Sequence, residues 1–115
     1  MTGGIRHFTD LKVWQKAHCL FLAVFKDIEG FPDSRSATVL AEQLMRSTGS
    51  VSANIAEGFN RTRRKFLNSL DIALGEANET ENWLYKARDA GFMAPEAAKQ
   101  RLLAVIEIEK MLTQA

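Results

Sequence analysis

The sequence predicts an all-α protein, an antiparallel up-down four-helix bundle spanning residues 1–115 as one domain. Three observations lead there. Apolar residues recur every three or four positions along four stretches, and no stretch alternates with period two. Seven Gly and two Pro are too few for the frequent turns of a sandwich or barrel. The breaks between stretches are short, and short connections set neighbouring helices antiparallel. A length of 115 residues suits a single core.

The first helix is expected over 9–29. Thr9 or Asp10 would cap it, and Gly30 and Pro32 would stop it. Trp14, Ala17, Phe21, Val24, Phe25 and Ile28 form its apolar stripe. The second is expected over 34–60, with Leu40, Leu44, Thr48, Val51, Ile55 and Phe59 facing the core. Gly49 in its interior costs about 1 kcal/mol relative to Ala, which close approach of another backbone would offset. Gly58 marks a weak point near its end.

The third helix is expected over 63–90, between a Thr62 cap and Gly91. Its stripe is Phe66, Leu70, Ala73, Ala77, Thr80 and Leu84. The fourth, over 95–113, opens with Pro95 and Glu96, both suited to a first turn. Leu102, Val105, Ile106, Glu109 and Leu112 recur along it.

Some apolar residues fall outside these stripes. Val13 and Leu20 flank the first, and Ile72 and Trp83 lie to one side of the third. A single bundle buries one stripe per helix, so this surplus predicts self-association through Val13, Leu20, Ile72 and Trp83. Trp14 and Trp83 are read as core or subunit-contact residues, because Lys12 and Lys16 point away from the Trp14 face.

A polar stripe runs beside the apolar face of the second helix: Gln43, Arg46, Ser50, Asn54 and Glu57. Folding the second and third helices back on each other near residue 61 sets Arg46 level with Glu76, Gln43 with Glu79, and Glu57 with Lys65. We expect a polar seam between the two helices, with Arg46–Glu76 as its central ion pair.

Charge is balanced, at a formal +1, but unevenly placed. Arg61, Arg63, Arg64 and Lys65 form a basic knot, and an acidic stretch follows it. A near-neutral chain argues against nucleic-acid binding by net charge alone, so any such binding would rest on this knot.

Catalytic and cofactor chemistry find little footing. A di-iron bundle needs Glu-x-x-His pairs, and neither His7 nor His18 follows a Glu at that spacing. Glu76 and Glu79 share the spacing without a histidine. Gly-rich phosphate loops and a Gly-x-Ser-x-Gly elbow are absent. Cys19 is the only cysteine and reads as a packing residue, so no internal disulfide forms. We expect no enzyme activity, no metal and no cofactor. The longest wholly apolar run, Leu20 to Phe25, is far short of the roughly 20 residues of a membrane span. With no signal-like N-terminus, no membrane partner is expected, and the expected location is cytoplasmic.

Particular motifs carry a family resemblance. The opening Phe8-Thr-Asp-Leu-Lys-Val-Trp-Gln-Lys-Ala17 and the run Gln43-Leu-Met-Arg-Ser47 are two of them. Ser50-Val-Ser-Ala-Asn-Ile-Ala-Glu-Gly-Phe59, Lys65-Phe66 and the segment Leu70 to Glu76 complete the set. Over about residues 8–92 the chain resembles the bacterial 23S rRNA intervening-sequence proteins, also called the S23-like four-helix-bundle family. The resemblance implies a four-helix bundle that assembles as a ring-like homopentamer, and it implies no reaction.

Two functional expectations follow. One is a non-catalytic oligomer that binds RNA or a nucleoprotein through a rim of Arg61, Arg63, Arg64 and Lys65, multiplied around the ring. The other is a protein-interaction scaffold without nucleic-acid binding, in which the knot serves solubility.

Overall fold

The computed structural model describes residues 4–114. A short 3-10 turn at Phe8–Asp10 leads into four helices: α1 (Lys12–Ile28), α2 (Arg35–Gly58), α3 (Arg63–Asp89) and α4 (Pro95–Thr113). No strand occurs among the described residues. Each helix packs on its chain neighbour and α1 closes on α4, while the backbones of the diagonal pairs stay farther apart. The result is a square rod of 48 × 21 × 20 Å.

Side chains at the helix starts explain where three helices begin. Ser34 Oγ accepts the amide of Ala37 at 3.2 Å, and Thr62 Oγ1 accepts that of Lys65 at 3.2 Å. Pro95 opens α4. At α1 the sequence expectation fails, because neither Thr9 nor Asp10 caps that helix. Asp10 instead turns back to accept the amides of Arg6 and His7, at 2.9 and 3.0 Å. The Gln15 side chain then ties α1 to this turn through the Thr9 carbonyl, at 2.8 Å.

Ala17, Leu20 and Val24 of α1 enter the core beside Leu44, Val51 and Ile55 of α2. From α3 and α4 come Leu70, Ala73, Ala77, Leu84, Leu102, Val105 and Ile108. Two α1 assignments are thereby corrected. Leu20, expected at a subunit contact, is buried within the protomer, and Phe25, expected in the core, is 49% exposed. The helix must cover α2 and α4 together, so its buried face centres on the 17–20–24 row. Phe25 follows Val24 by one position and is rotated outward by about 100°.

On α4 the sequence reading placed Ile106 and Glu109 in the stripe. The buried residues there are Ala98, Leu102, Val105, Ile108 and Leu112. Ile106 and Glu109 sit at the edge of the stripe, partly covered.

The α2 helix ends at Gly58, two residues before its expected end. Phe59 is extended, and Asn60 takes a left-handed conformation with φ 59°, which asparagine tolerates better than most residues. The chain thereby turns sharply from α2 into α3. The close helix approach also lies at this end. A Cβ on Gly58 would collide with the Ser69 side chain and stand 3.3 Å from the Phe66 Cα. Gly49, where close backbone approach was expected, meets only the Phe21 ring at an ordinary 3.4 Å.

Candidate nucleic-acid interface

The α2–α3 turn presents the basic knot. Arg61, Arg63, Arg64 and Lys65 are all exposed. None of them makes an ion pair among the described residues. They do not form one patch, because the helix start divides them. Arg61, Arg64 and Lys65 border an open depression of about 990 Å³, together with Glu57, Asn68 and Ser69. Arg63 faces the other side, beside Phe59, Phe66 and Ile5, and Arg61 reaches both sides.

The electrostatics of this end are unusual. The first turn of α3 contains no acidic residue. It carries three cations where the helix dipole is positive, a placement that helix electrostatics disfavour by about 0.3–1 kcal/mol per charge at an exposed site. The Thr62 hydroxyl takes the Lys65 amide, which leaves first-turn amides of Arg63 and Arg64 directed outward. Uncompensated side-chain charge and helix polarity therefore act together on any anion that approaches.

The expected seam residues lie along the α2–α3 face with unequal roles. Arg46 Nη1 is 3.3 Å from Glu76 Oε1, and its Nη2 bonds Glu79 Oε1. The planar guanidinium thus spans two carboxylates one turn apart. The Arg46 bond holds the Glu79 carboxyl below the usual carboxylate range. Trp83 Nε1 donates to the same Glu79 oxygen at 3.2 Å. Gln43 makes no bond to Glu79 among the described residues and instead lines an apolar hollow with Val39, Leu40 and Trp83. Ser50 and Asn54 donate to the carbonyls of Arg46 and Ser50 on their own helix, both at 2.8 Å. Their short side chains do not span the gap between helix axes. Glu57 and Lys65 border the same depression without pairing.

Of the expected self-association residues, Ile72 is 44% exposed and flanks the basic depression. Val13 and Trp83 are partly covered and pack against the core. Leu20 is withdrawn from that set by its burial.

Other groups were not legible in the sequence. Arg101 grips Asp27 with two bonds of 2.7 and 3.1 Å, joining α4 to α1. The Ser47 and Thr80 hydroxyls meet at 2.9 Å inside the α2–α3 contact. Glu109 Oε2 is buried without a partner. Burial, followed by the neighbouring Glu81 carboxyl, raises the Glu109 pKa to about 7. The Tyr85 hydroxyl donates to Glu81 at 2.8 Å. His18 stacks on Trp14 with ring centroids 4.8 Å apart. Among the described residues no three His, Cys, Asp or Glu side chains gather as a metal site. No described helix is long and apolar enough to cross a membrane.

The profile of the 23S rRNA-intervening sequence protein family matches residues 9–114. The chain belongs to this family. The fold agrees with a solved relative, a crystal structure from Bacteroides thetaiotaomicron described as a protein of unknown function from the S23 ribosomal protein family. That structure is 30% identical, covers 89% of this chain and 95% of its own, and superposes with a TM-score of 0.81. No curated protein matches the chain significantly. The family match begins at residue 9 and so spans all four helices, including the basic turn and the Arg46–Glu76–Glu79 group.

Proposed function

We propose that this 23S rRNA-intervening sequence protein is a non-catalytic, oligomeric nucleic-acid-binding protein. It would engage the phosphate backbone of RNA, free or in a nucleoprotein, through the turn at 61–65. One observation carries the reading: unpaired cations crowd the positive end of α3. An approaching phosphate strand would relieve that like-charge crowding and displace counterions, so binding would weaken steeply with salt. The exposed Leu22, Phe25, Val39, Ile72 and Leu103 support self-association. Repetition of the turn around an assembly, a pentamer by family resemblance, would convert one modest patch into a strong multivalent surface.

Purification without nuclease tests both parts together. Light scattering should give a mass several times 12.9 kDa, with a 260/280 absorbance ratio raised by bound nucleic acid. A monomer with a pure-protein ratio would contradict the reading. An oligomer that carries no RNA and captures a protein in a salt-insensitive manner would favour the scaffold, for which the apolar hollow around Val39, Leu40 and Trp83 is the suited surface.

A further inference from the structure

Glu109 Oε2 is the buried side-chain atom that finds no hydrogen-bond partner among the described residues. The group within hydrogen-bond reach of it is the Glu81 carboxyl, across the α3–α4 contact. Glu81 Oε2 in turn accepts the Tyr85 hydroxyl at 2.8 Å. Two ionised carboxylates can only accept, so neither satisfies the other. A buried carboxylate oxygen without a donor is costly, and a second negative charge beside it raises the cost.

The neighbouring cations are engaged elsewhere. On α3, the Arg88 guanidinium lies over the Tyr85 ring, 5.1 Å from its centre, and bonds Asp89 at 2.8 Å. Lys86 bonds Asn82 and lies toward Trp83. From α1, Lys12 and Lys16 border the groove that Arg101 and Glu107 line on α4. There Lys16 pairs with Glu107 at 3.2 Å and Arg101 with Asp27 at 2.7 Å. Glu109 follows Glu107 by two positions and is turned away from that groove by about 200°. On α4 itself, Val105, Ile106, Leu112 and Thr113 stand one turn from Glu109 and carry no charge, and Lys110 is exposed. The α3–α4 contact therefore holds two facing carboxyls without a counter-charge. A single proton resolves this, because it makes one carboxyl a donor to the other.

We propose that Glu81 and Glu109 share one proton across the α3–α4 contact, and that this hydrogen bond is a pH-sensitive latch holding the C-terminal half of α4 against α3. When the proton leaves to solvent, the carboxyl O–H bond breaks and two negative charges face each other. Repulsion then moves α4 off α3 on that side. The raised proton affinity of Glu109, to about 7, places the release near neutrality. The α1 side of α4 stays tied, because the Arg101–Asp27 and Lys16–Glu107 pairs keep their charges there. Leu74, two turns before Glu81, and Ile106, one turn before Glu109, are packed and partly covered, and they gain solvent on release.

The test follows the full chain by NMR from pH 5 to pH 9. It reads the side-chain carboxyl carbons of Glu81 and Glu109, and the relaxation of the Leu74 and Ile106 methyls by a soluble paramagnetic probe. Both carboxyl carbons should shift in one common step centred near 7, as coupled groups do. The two methyls should relax faster above that step, while those of Val24 in the core stay constant. Glu109→Gln and Glu81→Gln each place an amide donor opposite the remaining carboxylate, so both should lose the step and stay closed at pH 8. Tyr85→Phe removes a donor that stabilises charge on Glu81 and should move the step to higher pH.

Carboxyl carbons that titrate separately near 4.5 overturn the shared proton. A common step with no change at either methyl overturns the latch. Methyl relaxation that still rises above pH 7 in both Gln variants belongs to another group and overturns the proposal. Closure restored at pH 8 by magnesium or calcium ions puts a metal in the place of the proton and overturns it as well.

Discussion

Ser69 occupies the space in which a Cβ on Gly58 would stand. The two residues lie across the α2–α3 contact at the end where the chain turns. Gly58 therefore sets how closely α3 approaches α2 and how the basic turn is held.

Replacing Gly58 by Ala should be destabilising. The added methyl meets the Ser69 side chain and the Phe66 backbone, and such overpacking typically costs about 1–3 kcal/mol. Gly75 is the contrasting case, in the interior of α3 with open space where a Cβ would stand. Gly75→Ala should stabilise by about 0.5–1 kcal/mol through backbone entropy. Urea unfolding of the two variants should move the midpoint in opposite directions.

The bundle should lose stability as pH rises through neutrality. Glu109, beside Glu81 and Tyr85, holds its proton more tightly when folded, up to about 7, than its ordinary 4.5. Between those values the folded chain binds the extra proton. The stabilisation from that proton is therefore complete below about 4.5 and is lost as pH climbs through about 7. Glu109→Gln should flatten this dependence and raise stability at pH 8. Thermal unfolding of parent and variant from pH 5 to pH 8 would show it, and parallel profiles would contradict it.

The two cross-helix ion pairs should differ in worth. Asp27 and Arg101 have side chains 15% and 23% exposed, with paired bonds. Breaking them with Arg101→Ala should cost about 1–3 kcal/mol. Arg46 is 48% exposed, so its removal should cost less than that of Arg101 despite two carboxylate partners. Double-mutant cycles with Asp27→Asn and Glu76→Gln separate the pairs.

The sequence already contained the helix pattern, because buried positions on α2 and α3 repeat at helical spacing and Ser34, Thr62 and Pro95 mark the starts of α2, α3 and α4. Register along a folded-back hairpin also brought Arg46 to Glu76 by counting alone. Rotation of a helix was harder to read. Leu20 and Phe25 are equally apolar, and only contact with two neighbours, α2 and α4, decides which is buried. Gly49 and Gly58 look alike in sequence, and only the tertiary approach shows which one is crowded. Asp27 and Arg101 are 74 positions apart, on helices whose contact depends on closure of the whole bundle. Ser69 lies one position from the predicted stripe residue Leu70, and its place against Gly58 is a property of three-dimensional packing. The basic knot was plain in the sequence, whereas its division by the α3 start was not.

The most direct test of the central claim is the salt dependence of binding to a single-stranded RNA, with the parent and the Arg61→Glu, Arg64→Glu double variant compared. A strand held by three or four phosphate contacts should give a log–log slope of about −2 to −3. The double variant should lose most of the affinity and most of the slope while keeping the helical signal and assembly state of the parent. Equal affinity and equal slope in the two proteins would contradict the account.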